Sequence, residues 1–248
     1  MLTEERFSKI LSIIETRGSA TVQELMAELE ASESTVRRDL NAMDGNGLVT
    51  KVHGGAIAKR QKIHSHDENL TSRQMLNAEE KRAIGRYAAA LIEDGDFVYI
   101  DAGTTTGMML EYITAEHVVC VTNAVGHARS LAERGYRVYI LGGEFKSATE
   151  AIVGEEALEA LDKYNFTRGF FGTNGISTAK GFSTPEVREA MVKKRAMENC
   201  KERYILADHT KFEQLSSVKF AEFEQAAVIT EGPLPPSLKR YNNIMEVR

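Results

Sequence analysis

Cysteine is scarce in this chain: Cys120 and Cys200 are the two among 248 residues. Neither has a second Cys or a His at ligand spacing, so no structural zinc is expected, and a reduced cytoplasmic protein is the reading. Long apolar runs are also missing. The longest, such as Phe97-Val-Tyr-Ile100 and Val118-Val-Cys-Val121, are strand-sized, far short of the roughly 20 residues that cross a bilayer. The first residues, Met1-Leu-Thr-Glu-Glu-Arg-Phe7, put acids where a secretory signal needs a cationic then apolar stretch. No membrane partner is expected. Neither G-x-G-x-x-G nor G-x-x-x-x-G-K-[ST] occurs, which removes nicotinamide, flavin and P-loop nucleotide chemistry. No cofactor is expected. What remains is an ordinary globular mixture, 42% apolar, 27% charged and 7% aromatic. That composition excludes disordered and fibrous classes, and the length fits one or two domains.

The chain is acidic, with 31 basic against 36 acidic residues. Taken alone, that argues against a nucleic-acid partner. The distribution argues the other way. Residues 1–35 hold seven acids and three bases, whereas residues 36–62 hold Asp39 and Asp44 against Arg37, Arg38, Lys51, Lys59, Arg60 and Lys62. One short basic stretch in an acidic chain fits a small patch that meets a polyanion.

Periodicity divides the chain into residues 1–57, 58–72 and 73–248. In the first segment Phe7, Ile10, Leu11 and Ile14 mark one face of a helix that ends near Gly18. Thr21-Val-Gln-Glu24 is a capping box, opening a second helix that buries Val22, Leu25, Met26 and Leu29. Ser32 can cap a third helix with Val36, Leu40 and Met43 inward, stopped by Gly45-Asn-Gly47. Leu48–Val52 reads as a strand, His53-Gly-Gly55 as its turn and Ala56-Ile57 as the return. Residues 58–72 lose periodicity and read as a linker; His64 and His66 within it lack a third ligand and read as solvated. Beyond Arg73, a helix is expected over 77–93, and strands near 96–100, 117–122, 136–141, 168–172, 203–207 and 226–230. Helices are expected near 104–113, 124–134, 152–163 and 186–200. Such alternation predicts an α/β domain with a mainly parallel sheet between helices.

Two regions carry chemistry. The first three helices and the hairpin have the layout of a winged helix-turn-helix, in which Ser34, Thr35, Arg37 and Arg38 fall on the exposed N-terminal half of the third helix. Hydroxyls position phosphates and guanidinium groups read guanine, while Lys51 and His53 on the wing reach backbone phosphate. An Arg pair alone also fits solvated surface charges paired with Asp39 or Glu33. The second region is Asp101-Ala-Gly-Thr-Thr-Thr106, directly after one strand and before a helix. Gly103 permits a sharp turn, and Thr104, Thr105 and Thr106 add hydroxyl donors to the free N–H groups of the helix start, a fit for phosphate. A plain helix cap reads equally well. Thr122-Asn123, Gly142-Gly143, Gly172-Thr-Asn-Gly175 and Asp208-His-Thr-Lys211 each follow an apolar run, so they share one edge of a parallel sheet, where open α/β folds bind ligands. There Lys211 can supply charge and Asn123, Asn174 and Asp208 can bond sugar hydroxyls, although each alone also reads as a turn residue.

Arg6, Ile10, Ile14, Ser32 and Thr35-Val-Arg-Arg-Asp-Leu40, with Lys51-Val-His-Gly-Gly-Ala56, resemble the signature of the DeoR family of bacterial repressors. Residues 73–248 resemble that family's sensor domain, which is similar in fold to ribose-5-phosphate isomerase. The matching motifs are Glu80-Lys-Arg82, Asp101–Thr106, Thr122-Asn123, Leu141-Gly-Gly143, Gly172–Ile176 and Ala207–Phe212. The resemblance implies operator double-stranded DNA as one partner, bound by Ser32, Ser34, Thr35, Arg37, Arg38, Lys51 and His53. It implies a phosphorylated sugar as the other, with the Thr loop and Lys211 on the phosphate and Asp101, Asn123 and Asn174 on the sugar. Gly181-Phe-Ser-Thr-Pro-Glu186 and Lys146-Ser-Ala-Thr149 look most like the branch that governs fructose operons, which adds Lys146 and Glu186 to the effector set. The resemblance to lactose and tagatose-phosphate repressors is nearly as good. Repeated half-sites imply a homo-oligomer, dimer or tetramer.

The rival from another class is a sugar-phosphate isomerase with an accessory helix-turn-helix. Isomerisation needs a base and an acid. The Gly172-Thr-Asn-Gly175 loop carries no carboxylate, which leaves Glu186 and Glu189 as the available bases.

Overall fold

The computed structural model describes residues 2–45, 48–58, 63–64 and 70–247. The chain forms two compact units, 1–61 and 62–248. In the first, α1 (Thr3–Arg17) ends at Gly18, whose φ of +78° suits glycine. The short strand β1 (Ser19–Thr21) follows, then α2 (Val22–Leu29), α3 (Glu33–Gly45), β2 (Val49–Val52) and β3 (Gly55–Ala58). The capping box forms as expected: the Glu24 N–H donates to Thr21 Oγ1, and the Thr21 N–H donates to the Glu24 carboxylate at 2.7 Å. The Thr21 N–H and the Thr21 hydroxyl, which donates to the same carboxylate at 2.8 Å, hold the Glu24 carboxyl below its ordinary range. Ile10, Ile14, Leu25, Val36, Leu40 and Met43 close the core, with Met26 half-buried beside it.

The sequence pattern did not show β1, three residues too short for a period of two to register. It pairs antiparallel with β3, giving the order β1-β3-β2. Gly55 is required there by close approach, because a Cβ would lie 2.3 Å from the Ala20 carbonyl oxygen.

The second unit contains β4 (Ile63–His64), α4 (Leu70–Met75), α5 (Ala78–Ala89), β5 (Phe97–Ile100), α6 (Thr104–Met109), β6 (Val119–Thr122), α7 (Val125–Glu133) and β7 (Arg137–Ile140). It continues through β8 (Glu144–Lys146), β9 (Ala151–Val153), α8 (Glu155–Leu161), β10 (Phe166–Gly172), β11 (Gly175–Ser177), β12 (Gly181–Thr184) and α9 (Val187–Glu198). The remaining elements are β13 (Cys200–Leu206), β14 (Leu215–Ser216), β15 (Val218–Ala221), β16 (Ala227–Glu231), α10 (Pro236–Lys239) and β17 (Ile244–Val247). Among the described residues the main sheet is parallel throughout, in the order β17-β16-β13-β10-β5-β6-β7. Strand alternation feeds two cores. Val98 and Ile100 pack with Ile84 and Ala88 of α5 and Leu131 of α7. Tyr99, Phe171 and Ile205 pack on the other face with Leu161 of α8 and Val192 and Ala196 of α9. Cys120 and Cys200 are both buried, and burial pushes each thiol up to about 12.

Several expectations need correction. The stretch read as a featureless linker contains β4, which pairs in parallel with β14, and the start of α4. Lys59, Arg60, Lys62 and His66 lie outside the described residues, as do Asn46 and Gly47 of the expected helix stop. The expected helix over 152–163 begins as strand β9, paired with β8, and becomes α8 only after Gly154. The small antiparallel sheet β11-β12-β15 and the strand β17 were not expected. These strands are two to four residues long, and their order comes from tertiary pairing rather than local period.

One contact positions the edge of the sheet where a ligand would sit. α5 crosses α6 so closely that a Cβ at Gly85 would stand 2.8 Å from both the Met108 carbonyl carbon and the Met109 nitrogen. Gly85→Ala should therefore push α6 outward and cost about 1–3 kcal/mol. Chemical denaturation of the full chain checks this, and an unchanged midpoint would mean that the two helices can separate freely.

Candidate functional site

The chain runs from β5 to β6 and β7 on one side and then returns to place β10 on the other side of β5. Between β5 and β10 the connections diverge, and such a switch point leaves a crevice at the carboxyl edge of the sheet. A pocket opens there, lined by Arg73, Leu76, Lys81, Gly103, Thr104, Thr105, Gly172, Thr173, Asn174 and Lys211. The β5, β10 and β13 edges therefore bring together Gly103, Thr104, Thr105, Asn174 and Lys211 of the expected residues. Three cationic side chains line the pocket, and no carboxylate is among the lining residues.

The other expected residues hold the pocket's frame. Asp101 is buried beneath it and forms an ion pair with Lys193 on α9, which also donates to the Gly172 carbonyl at 3.1 Å. The Gly172 N–H donates to Asp101 Oδ2 at 3.0 Å, so one carboxylate ties the β5 loop to the β10 loop. Burial pushes the Asp101 carboxyl up, while Lys193 and the Gly172 N–H pull it back. Thr106 is fully buried, and its hydroxyl donates to the Asp101 and Gly103 carbonyls at 2.7 and 2.9 Å. It closes the loop and does not line the pocket. Gly103 is extended, with φ −176°, so the expected sharp turn is not its reason; a Cβ there would instead meet Thr106 Oγ1 at 3.1 Å.

Asn123 faces the frame rather than the pocket. Its side chain accepts from the Ala102 N–H at 2.9 Å and donates to the Ile152 carbonyl at 3.3 Å. Asp208 accepts from Asn77 Nδ2 and the Thr210 N–H, each at 3.1 Å, and thereby caps the turn that carries Lys211. Glu186, expected to meet a ligand, is the N-cap of α9 and accepts from the Arg188 and Glu189 N–H groups. Lys146 donates to Glu189 Oε1 at 3.0 Å, and Thr149 donates to the same oxygen at 2.5 Å. Thr184 reaches both the Asn174 side chain, at 3.2 Å, and Glu189 Oε2, at 3.4 Å. The basic neighbours and the Thr149 hydroxyl outweigh burial and leave the Glu189 carboxyl below its ordinary range.

Arg73 and Lys193 lie outside every motif drawn from the sequence, while Lys81 and Thr173 fall inside Glu80-Lys-Arg82 and Gly172-Thr-Asn-Gly175 without a role of their own. A signal existed for two of them. Lys81 sits with Ile84, Gly85, Ala88 and Ala89 on the buried stripe of α5, and Lys193 sits with Glu189, Val192, Ala196 and Met197 on that of α9. A charge on an inward stripe demands a buried partner.

In the first unit, α3 exposes Ser34, Arg37 and Arg38, with Thr35 half-buried. Ser32 Oγ lies 3.1 Å from Ser34 Oγ and 2.9 Å from Thr35 Oγ1, and accepts from the Thr35 N–H at 3.4 Å. Three hydroxyls thus crowd the start of a thirteen-residue helix. Arg37 pairs with Glu33 at 2.7 Å, whereas Arg38 has no ion pair among the described residues. Lys51 donates from Nζ to Asn41 at 2.6 Å and from its backbone to Asp44 at 3.0 Å, fastening the wing to α3. His53 is exposed in the β2–β3 turn.

Comparison with known proteins decides what this pairing of units is. Residues 6–62 match the DeoR-like helix-turn-helix domain, and residues 76–232 match the DeoR C terminal sensor domain. The chain belongs to the DeoR family. It is 41% identical to an uncharacterized HTH-type transcriptional regulator, FruR, of Bacillus subtilis (strain 168), over 93% of this chain and 91% of that protein. It is 34% identical to the lactose phosphotransferase system repressor of Staphylococcus aureus (strain N315), over 92% of each. A solved D-ribose-5-phosphate isomerase in complex with phospho-erythronic acid overlays with a TM-score of 0.42 at 13% identity, over 54% of each chain. The DeoR signature also acquires a physical reason. Its first-helix Arg6 clamps Asp39 of α3 through two bonds, at 2.7 and 3.2 Å, and Asp39 is 3% exposed. Asp39 is therefore committed to Arg6, leaving Glu33 as the partner of Arg37.

Two outcomes follow for this DeoR chain. Lys193→Met strands the Asp101 carboxylate and should cost about 3–5 kcal/mol of stability, while adding Asp101→Asn should return most of it. Urea denaturation of the four proteins measures the coupling, and costs that simply add would show that the pair is not a unit. On the other unit, Arg38→Ala should weaken specific operator binding by about 1–3 kcal/mol. Lys51→Ala should weaken all sequences alike and flatten the salt slope by about one unit. Gel-shift titrations across salt concentrations separate these two behaviours.

Proposed function

We propose that this chain represses a sugar-utilisation operon and is released from it by a phosphorylated sugar, with fructose 1-phosphate the first choice. The observation that carries the reading is the pocket lining: Arg73, Lys81 and Lys211 with the Thr104 and Thr105 hydroxyls, and no carboxylate beside them. A phosphate dianion gains charge-assisted hydrogen bonds from such a set, each shorter and stronger than a neutral one. A neutral sugar keeps only hydroxyl contacts, which exchange almost evenly with water. Fructose 1-phosphate is chosen on the resemblance of Gly181–Glu186 and Lys146–Thr149 to fructose-operon repressors. In this reading residues 1–57 bind operator DNA through α3 and the wing, 58–72 connect, and 73–248 hold the effector. A single small module reads too few bases for useful specificity, so a homo-oligomer on repeated half-sites is part of the proposal. The effector acts only if its affinity differs between the DNA-bound and released arrangements.

The isomerase reading loses its chemistry at this site. Glu186 is occupied as a helix cap, Glu189 is enclosed by Lys146, Thr149 and Thr184, and Asp101 is paired with Lys193. No carboxylate base is left facing the pocket among the described residues. The family match and the named relatives support a transcriptional regulator over an isomerase.

The test uses purified protein, an operator fragment and a panel of sugars. Fructose 1-phosphate should raise the melting temperature in proportion to the logarithm of its concentration over Kd and should release the operator, while fructose should do neither. The combined change Thr105→Ala and Lys211→Ala should abolish release. Equal affinity for fructose and its phosphate, or a double variant that still lets go, would remove phosphate sensing.

A further inference from the structure

Arg73 and Leu76 reach the pocket from a piece of chain that lies outside the sheet and precedes α5, on the side leading back to the first unit. Polar ties hold that piece. β4 pairs with β14 over two residues, Leu215 and Ser216 opposite Ile63 and His64. Lys81, from the first turn of α5, donates its ammonium group to the Arg73 carbonyl. Asn77 joins α4 to α5 with φ +51°, a left-handed conformation unusual outside glycine, and its side chain donates to Asp208 at 3.1 Å.

The apolar side chains described in this piece face outward: Met75 is 78% exposed and Leu76 48%. A segment with few buried apolar contacts belongs to the low end of local stability, where a modest binding energy redistributes its conformations. The ties also converge on the ligand site. Lys81 lines the pocket and grips Arg73, and Asp208 grips Asn77 while capping the turn that carries Lys211.

We propose that Arg73 contacts the phosphate of the bound sugar and, by doing so, fixes α4 and the Asn77 joint. It is then the residue through which pocket occupancy acts on the segment leading to the DNA-binding unit. The inference rests on the phosphosugar reading of the pocket and adds to it the element that moves. Thr104, Thr105 and Lys211 belong to the sheet's own loops, so a phosphate bound by them alone would leave the segment before α5 unchanged. Arg73 is placed to bring that segment and the phosphate together.

Hydrogen exchange on the full chain, with fructose 1-phosphate and separately with inorganic phosphate, reads the segment directly. Amides of residues 70–77 should exchange more slowly with either ligand. Gel shifts should show that Arg73→Met needs at least about tenfold more fructose 1-phosphate for half-release, judged against its own ligand-free operator affinity. Arg73→Lys should recover part of that loss. If wild-type protein binds fructose 1-phosphate and leaves the operator with exchange over 70–77 unaltered, the proposal fails and the phosphosugar reading stands. The proposal fails in the same way if Arg73→Met is released at the wild-type concentration. If calorimetry finds that wild-type protein binds neither compound, both fall together.

Discussion

The carboxylate of Asp101 is buried where an unpaired charge would not persist, and the shape of the pocket follows from how that charge is met. Lys193 meets it from α9, the Gly172 N–H meets it from the β10 loop, and the Asp101 carbonyl receives the Thr106 hydroxyl from α6. Three elements far apart in sequence are thereby fixed around one residue. The frame extends through Thr184 and Glu189 to Lys146 and Thr149, an alternation of charges and hydroxyls. Such a network specifies one arrangement because each member left unpaired would be costly.

That division between frame and lining explains how far the sequence could be read. Strand-end polar residues were legible as a group, since every parallel strand delivers its loop to the same edge, and Thr104, Thr105, Asn174 and Lys211 do line the pocket. Their individual roles were not legible. Asn123, Thr106 and Glu186 have the right chemistry for a ligand, but backbone groups consume it, and nothing local announces which backbone group comes within reach. The winged unit was more transparent because its contacts are short-range: the Gly18 exit, the Thr21–Glu24 box and the α3 stripe are all encoded within a few residues. Its less transparent features are longer-range: the pairing of β1 with β3 and the Arg6–Asp39 clamp across 33 positions.

The two units also differ in where they keep charge. Apart from the Asp39 clamped by Arg6, the charges of α3 stay in water, where Arg37 and Glu33 are about half exposed and gain little from pairing. In the second unit Lys81, Asp101, Glu189 and Lys193 are all less than a tenth exposed. Surface charge suits a face that must exchange one polyanion site for another quickly. Buried charge suits a pocket whose donors must already be in place when a ligand arrives.

The core of the first unit closes within residues 10–56, whereas the main sheet draws its strands from residues 97–247. During synthesis the chain therefore completes its DNA-binding head long before the sheet that would carry the pocket has emerged. A message cut short after the head would yield a folded fragment whose hold on DNA, however weak, no effector could release. Under the proposed function, the order of the two units along the chain makes premature termination a loss of inducibility before it is a loss of DNA binding.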